Sequence, residues 1–337
     1  MTPLDLSVVI VNWNVRELLA GCLRSLLRSQ GVQFVGAPAP PGEQPTWQAE
    51  AIVVDNASGD GSQDMVRSQF PWARLIANDQ NLGFTRANNQ GLAVAEGRYV
   101  LFLNPDTEVH PAALSALLEF AEVHPQVGIV GPQLRYADGS VQSSRRRFPT
   151  PATFFLEATV LQRWWPQNRV LSRYYVLDRP DDAVSQVDWV VGAAMLVRRQ
   201  VLDQIGGFDE GFFMYSEELD LCRRAVAAGW QVVYLPTAVV THFEGKSSEQ
   251  VVAARHIRFH SSRVRYVRKY HGPWLAAAVR SFLLLTFVYQ WAEEAAKWLA
   301  SFVVPGQRSR RPMRRERMAA YAQVLRSGLR YSPVPPN

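Results

Sequence analysis

The segment RYVLFLNPDTEV, residues 98–109, puts an acid directly after an apolar run. Val, Tyr and Phe favour a pleated, buried surface, and a run apolar at successive positions marks a strand covered on both faces. Pro105 cannot donate to a ladder, so the strand ends there and Asp106 falls just past its carboxyl end. Two more acidic points share this placement. Asp55 closes the apolar stretch AIVVD (51–55), and Glu217 and Glu218 in SEELD (216–220) open a helical pattern. Open α/β sheets bind ligands outside the carboxyl ends of their strands, so acids gathered at that edge would form a ligand site. Each acid also has a local explanation. Asn104-Pro105-Asp106 are ordinary turn residues, and Asp55 can make an Asx-turn. Ser216 can cap its helix, with Glu217 and Glu218 complementing the dipole. Asp220 and Arg224 form an i,i+4 pair. The shared placement is what favours a site.

The elements that must position these residues alternate along the first half. LSVVIVNW (6–13) reads as a strand, and 15–29 carries Leu18, Cys22 and Leu26 at helical spacing. GAPAPPGEQP (36–45) is a Pro/Gly surface loop. AIVVD, a helix over about 61–70, ARLIAN (73–78), a helix over roughly 85–95 and RYVLFLN (98–104) continue the rhythm. Four such units predict an α/β fold with a mostly parallel, doubly wound central sheet. After that, a hairpin is expected around Ala137-Asp138-Gly139 and no clear period over 145–180. A strand is expected over 187–199, a helix from near Ser216, and a strand over 230–236. Beyond Phe243 the chain reads as helical to about Val304.

At 337 residues, 47% hydrophobic and 20% charged, the chain is long and apolar enough for a large core and is no disordered segment. The net charge of +6 is local: residues 308–317, RSRRPMRRER, hold six arginines against one glutamate, and the rest is close to neutral. One cationic tail without a binding module argues against a nucleic-acid partner. Cys22 and Cys222 lie apart in helix-like patterns, which implies buried structural thiols and no disulfide framework. The N-terminus lacks a signal-peptide layout, so a cytoplasmic location is expected.

SVVIVNWN, VVDNASGDGS, NLGFTRANNQG, FLNPDTEV, GAAMLVRRQVLDQIGGFDEGFFMYSEELDLCRRAVAAGW and THFEGKSS occur in this order over about residues 5–250. Together they resemble family 2 glycosyltransferases of the GT-A fold, close to rhamnosyltransferase-like members that build bacterial surface polysaccharides. The resemblance implies a GT-A domain over 1–250, with a nucleotide-sugar half (about 1–108) and an acceptor half (about 109–250), followed by a helical region over 251–337. It also implies an inverting, metal-dependent, non-processive transfer from a pyrimidine nucleotide sugar, dTDP-rhamnose or a UDP-sugar, to a glycan or lipid-linked acceptor.

On this resemblance Asp55 accepts the pyrimidine N–H, and Asp106 is the last acid of a DxD-like motif reduced to Asn104-Pro105-Asp106. Mg²⁺ is typically held by one or two carboxylates plus substrate phosphates, so one acid can suffice. His242, which on its own reads as a polar residue ending a strand, becomes a second metal ligand, and its imidazole suits Mn²⁺. Glu218 takes the base position where family members carry Asp, with Glu217 as the fallback. Asn12, Gly83, Arg86 and Asn88 fall to the donor side; glycine permits close backbone approach and a helix start welcomes an anion. Arg86 reads equally well as solvated. Trp189 reads as core, or as lining the acceptor pocket.

Two rival readings are a nucleotidyltransferase and a non-catalytic membrane-associated scaffold. The first wants a Gly- and Lys/Arg-rich phosphate loop near the first strand, which VIVNWNVRELL lacks. The second is disfavoured because Asp55, Asp106, Glu218 and His242 are all present. The tract 273–304 is apolar, but Arg280, Glu293, Glu294 and Lys297 interrupt it. Gln290, Glu294, Lys297 and Ser301 share one helical face, and Trp291, Ala295, Trp298 and Phe302 a neighbouring one. This predicts a helix lying in an anionic membrane surface on the cytoplasmic side, aided by the arginines of 308–317. Packing within the domain or in a homodimer is the alternative.

Overall fold

The computed structural model describes residues 4–38, 45–243, 252–304 and 306–330. Residues 39–44 of the Pro/Gly loop and the EGKSS part of the last motif lie outside them. Strands β1 (Leu6–Asn12), β2 (Val32–Phe34), β3 (Trp47–Asp55), β4 (Arg74–Ala77) and β5 (Tyr99–Leu103) alternate with helices α1 (Arg16–Leu27), α2 (Ser62–Gln69) and α3 (Phe84–Ala93). β6 (Thr107–Val109), α4 (Ala113–Val123), β7 (Val127–Arg135), β8 (Val141–Gln142) and β9 (Arg145–Arg146) follow. Next come α5 (Pro151–Leu156), α6 (Val160–Trp164), α7 (Arg169–Tyr174), β10 (Ser185–Val187), β11 (Trp189–Val190), β12 (Ala194–Arg198), α8 (Arg199–Ile205), α9 (Glu217–Ala227) and β13 (Gln231–His242). Among the described residues the α-helices that follow are α10 (Val252–His271), α11 (Pro273–Ala300) and α12 (Arg311–Ser327).

The main sheet runs β10-β13-β7-β12-β5-β1-β3-β2, with β4 beside β3, β6 beside β13 and β8 beside β7. β1 pairs in parallel with β3 and β5, and β3 with β2 and β4. Every residue of β1 and β5 is buried, as the two-faced apolar runs demand. The parallel order is broken on one side, where β12 is antiparallel to both β5 and β7. Cys22 and Cys222 are buried, and burial pushes both thiols up to about 12. They serve as small core residues, not nucleophiles.

Three local expectations change. The strand expected over 187–199 is three short strands, because the chain leaves the ladder at Val191–Ala193 and re-enters at Ala194. The strand expected to stop at Pro236 continues to His242, because Pro236 sits in a bulge between the Leu235–Pro132 and Val239–Gln133 pairs. Residues 145–180 hold three short helices; Thr150 and Thr153 cap the first reciprocally, and Pro151 starts it. The hairpin at 137–139 forms as expected, with Tyr136 N–H donating to Ser140 O and β8 pairing with β7.

The chain divides into two units: Met1–Phe148 with Arg173–Phe213 and Glu217–Ser247, and Pro149–Ser172 with Met214–Ser216 and Ser248–Asn337. In the second unit α10, α11 and α12 pack around Tyr266, Val279, Leu283, Phe287 and Val324. α11 is long and apolar enough to cross a membrane by length and composition. Of the expected polar face Lys297 is exposed, whereas Glu294 and Ser301 are buried because Arg317 and Arg311 of α12 reach them. Trp291 and Phe302 of the expected apolar face are exposed, and so are Leu285, Val288 and Leu299.

Candidate active site

Register brings the acids to one edge. β1 and β3 pair so that Asn12 lies opposite Asp55, and β5 ends beside them. Asn12 Nδ2 donates to Asp55 Oδ2 at 2.8 Å, while Asp55 Oδ1 accepts from Ser58 N–H at 2.9 Å and from Gln63 Nε2 at 2.9 Å. Asp55 thus makes its Asx-turn and is fully buried. Oδ2 keeps a spare lone pair, and Asn12 Oδ1 is buried with no donor among the described residues.

Past β5, Asn104 N–H donates to Ala193 O, and Thr107 Oγ1 bonds back to Asn104 O. That turn buries Asp106. β13 lays His242 opposite Thr107, and Phe243 N–H donates to Asp106 O. His242 Nε2 consequently stands 3.4 Å from Asp106 Oδ1, both side chains buried. On the far side of the ring, Nδ1 meets Gln142 Oε1 at 2.9 Å. In the tautomer that donates from Nδ1 to this amide oxygen, the lone pair of Nε2 faces the Asp106 carboxylate. Two electron-rich atoms held this close suit a shared cation: two cis ligands of an ion bound at about 2.1 Å lie about 3 Å apart. The pair therefore fits a divalent metal. Among the described residues no third His, Cys, Asp or Glu joins them, so further ligands would come from a bound substrate.

The carboxylate pair opening α9 reaches the same edge through the segment before β12. Gly192 lies next to Ala193, and its N–H donates to Glu218, as do the N–H groups of Glu218 itself and Leu219. A Cβ on Gly192 would stand 3.3 Å from Glu218 Cβ, so glycine permits this approach. Tyr215 and Ser216, just before the helix, hold φ of +69° and +67°. Ser216 is therefore not in the extended conformation an N-cap serine adopts. Burial pushes Glu217 well above the usual carboxylate range, reinforced by the neighbouring Glu218 charge. Burial raises Glu218 too, but the three N–H donors and the nearby Arg146 charge oppose it. One negative charge on the pair settles best on Glu218.

The structure explains other expected residues differently. Gly83 (φ +88°) gives way to Phe213, whose ring would lie 2.7 Å from an added Cβ. The Phe213 carbonyl also accepts from Phe84 and Thr85 N–H, so the start of α3 is already capped. Arg86 makes an exposed ion pair with Glu210 at 3.4 Å. Asn88 is buried and donates to Phe84 O. Trp189 is buried, its indole N–H donating to Arg147 O. Sequence reasoning missed Gln142, Gly192 and Arg146. Arg146 lies over the rings of Tyr175 (4.6 Å) and Trp189 (6.0 Å) beside Glu218, and only the Arg-rich run 145–147 hinted at it.

A GT-A sheet with its acids at this edge defines a glycosyltransferase class. Residues 7–206 match the model for Glycosyl transferase family 2, and residues 181–308 that for Glycosyl transferase family 21. The chain is similar to an N-acetylglucosaminyl-diphospho-decaprenol L-rhamnosyltransferase of Mycobacterium tuberculosis, at 33% identity over 68% of this chain and 78% of that protein. It is also similar to Rhamnosyltransferase WbbL of Escherichia coli, at 30% identity over 48% of this chain and 61% of that one. Among solved structures, GalNAc-T7 crystallised with UDP, GalNAc and Mn²⁺ matches with a TM-score of 0.52 at 14% identity, covering 73% of this chain and 44% of that one, a likeness of fold alone. The chain belongs to glycosyl transferase family 2, and it is a glycosyltransferase of rhamnosyltransferase-like type.

Proposed function

We propose that this enzyme transfers one sugar per event, with inversion, from a pyrimidine nucleotide sugar to a hydroxyl of a glycan or lipid-linked acceptor in cell-surface polysaccharide synthesis. The observation that carries the reading is Glu218, anchored by three backbone N–H groups at the sheet edge that also holds Asp106 and His242. The names of the similar rhamnosyltransferases favour dTDP-rhamnose as donor, and the first favours a diphosphate-linked lipid as acceptor. The GT-A domain would span 1–250 and the helical region 251–337. That region would hold the enzyme to an anionic membrane surface on the cytoplasmic face, its exposed apolar side chains and arginines supporting this over a homodimer.

Glu218 takes the proton of the acceptor hydroxyl as that oxygen bonds to the anomeric carbon. The bond from that carbon to the diphosphate breaks on the opposite face, and the nucleoside diphosphate departs with the electron pair. Asp106 and His242 would hold a divalent metal, Mn²⁺ or Mg²⁺, which supplies Lewis-acid neutralisation of the leaving diphosphate. Asp55 accepts the pyrimidine N–H through its free Oδ2 lone pair, with Asn12 beside it. Gly83, Arg86 and Asn88 shape the donor side, the exposed Arg86 being the one able to meet a phosphate. Trp189 supports the acceptor side by holding the Arg146 strand.

The test is a panel of dTDP-, UDP- and purine nucleotide sugars assayed for nucleoside diphosphate release, with and without Mn²⁺. Metal-dependent release from pyrimidine donors alone is expected. Pyrophosphate release would indicate nucleotidyl transfer, and no release from any donor a scaffold.

A further inference from the structure

On α11 and α12, Nε and Nη1 of Arg314 and Nε1 of Trp298 are buried without an acceptor among the described residues. Arg314 is only 7% exposed, and its Nη2 donates to Gln307 Oε1 at 3.0 Å. The register between helices sets these donors at one level. Arg311 donates to Ser301 O at 2.7 Å and Arg317 stands 3.3 Å from Glu294 Oε1, so α12 runs antiparallel to α11. Arg314, midway between those arginines, is level with residues 297 and 298. A guanidinium is always charged, and burying it without an anionic partner is costly. Buried donors with no acceptor suit an anion, and a planar guanidinium fork matches phosphate oxygens.

The surroundings say which anion. The turn leaving α11 exposes Leu299, Phe302, Val303 and Val304, with Val303 85% exposed. Arg311 lies over the Phe302 ring at 3.8 Å, so apolar and cationic groups alternate at one tip. Six arginines lie within residues 308–317. A soluble anion would need the arginines but not the bare apolar turn; a lipid surface uses both. We infer that the α11–α12 junction is a lipid-headgroup site, in which Arg314 and Trp298 bind the phosphate of an anionic membrane lipid while Phe302 and Val303 enter the acyl region. This rests on the membrane-anchoring part of the proposed function and gives it a specific ligand site.

Sedimentation of the full chain with vesicles tests it, using phosphatidylcholine alone or mixed with phosphatidylglycerol. Loss of one exposed cation, Arg315→Gln, should weaken anionic-vesicle binding about fivefold, from about 1 kcal/mol per surface charge. Arg314→Gln should weaken it at least about twentyfold, with binding to neutral vesicles unchanged. Trp298→Phe, which keeps the ring and removes the donor, should cost several-fold. Equal losses in Arg314→Gln and Arg315→Gln would overturn the site. If Arg314→Gln does not fold, unchanged anionic-vesicle binding by Trp298→Phe overturns it. Stabilisation by millimolar inorganic phosphate that is lost in Arg314→Gln, with vesicle binding kept, would assign a soluble anion instead. A dimer abolished by Val303→Asp, again with vesicle binding kept, would assign the turn to a second copy. Donor turnover with a soluble acceptor should be the same in Arg314→Gln and wild type, so failure of the transferase reading shows separately.

Discussion

Exchanging Glu218 or Glu217 for glutamine separates two carboxyl groups that are adjacent in sequence but unlike in setting. Each leaves its Oε2 without a partner among the described residues, but Glu218 accepts N–H bonds from Gly192, Leu219 and itself, whereas Glu217, 4% exposed, accepts only from its own N–H. The pair titrates as a unit, and its first ionisation places the charge on Glu218 while Glu217 stays protonated. Glu218→Gln therefore removes the base, and kcat should fall about 10²–10⁴-fold, roughly 3–5 kcal/mol of barrier. Donor binding should stay near wild type, because the base acts on the acceptor. Glu217→Gln imitates the protonated partner, so kcat should hold within about fivefold and the acidic limb of the pH profile should not move. Its stability should change with pH. A carboxyl whose folded pKa is raised contributes stability that is present below its unfolded pKa and lost as pH rises toward the folded one. Glutamine has no such loss. Glu217→Gln should match wild type near pH 4 and gain on it as pH rises, by about 1.4 kcal/mol for each pH unit between the two pKa values. Steady-state kinetics and urea unfolding between pH 4 and 8 measure both effects. If Glu217→Gln lost as much turnover as Glu218→Gln, or was destabilised at pH 8, the division of roles would be wrong.

Gly192→Ala should lower kcat about tenfold with little loss of stability, since its Cβ would press on Glu218 at 3.3 Å and small misplacements are costly; kinetics and thermal unfolding check the pair. Gly83→Ala should destabilise by about 2–4 kcal/mol, because φ +88° disfavours a side chain and Phe213 occupies its space; the urea midpoint reads this directly. Asp106→Ala and His242→Ala should each weaken metal-dependent binding of nucleoside diphosphate, and the double change should cost less than the sum, since two ligands of one ion share one binding event. Titration calorimetry with Mn²⁺ measures it, and strict additivity would return His242 to a structural part.

Local sequence determined the framework of this protein. A doubly apolar run such as Tyr99–Leu103 can only be a covered strand, and a proline after it must end the ladder, so Asp106 could be placed at the sheet edge by chain-neighbour physics alone. The hairpin at 137–139 was legible for the same reason: its turn chemistry lies within a few residues. Contacts made across long separations were not legible. His242 meets Gln142, 100 residues away, through the pairing of β7 with β8 and β13. Glu218 differs from Glu217 because Gly192, on another segment, points an N–H at one of them only. The burial of Glu294 and Ser301 on α11 was not legible, because helical spacing shows which residues share a side but not which of them a neighbour covers. The arginines of α12 decided that by drawing Glu294 and Ser301 inward. Spacing along one chain sets faces and ends; which partner meets each face, and with what charge, is set only when distant segments pack.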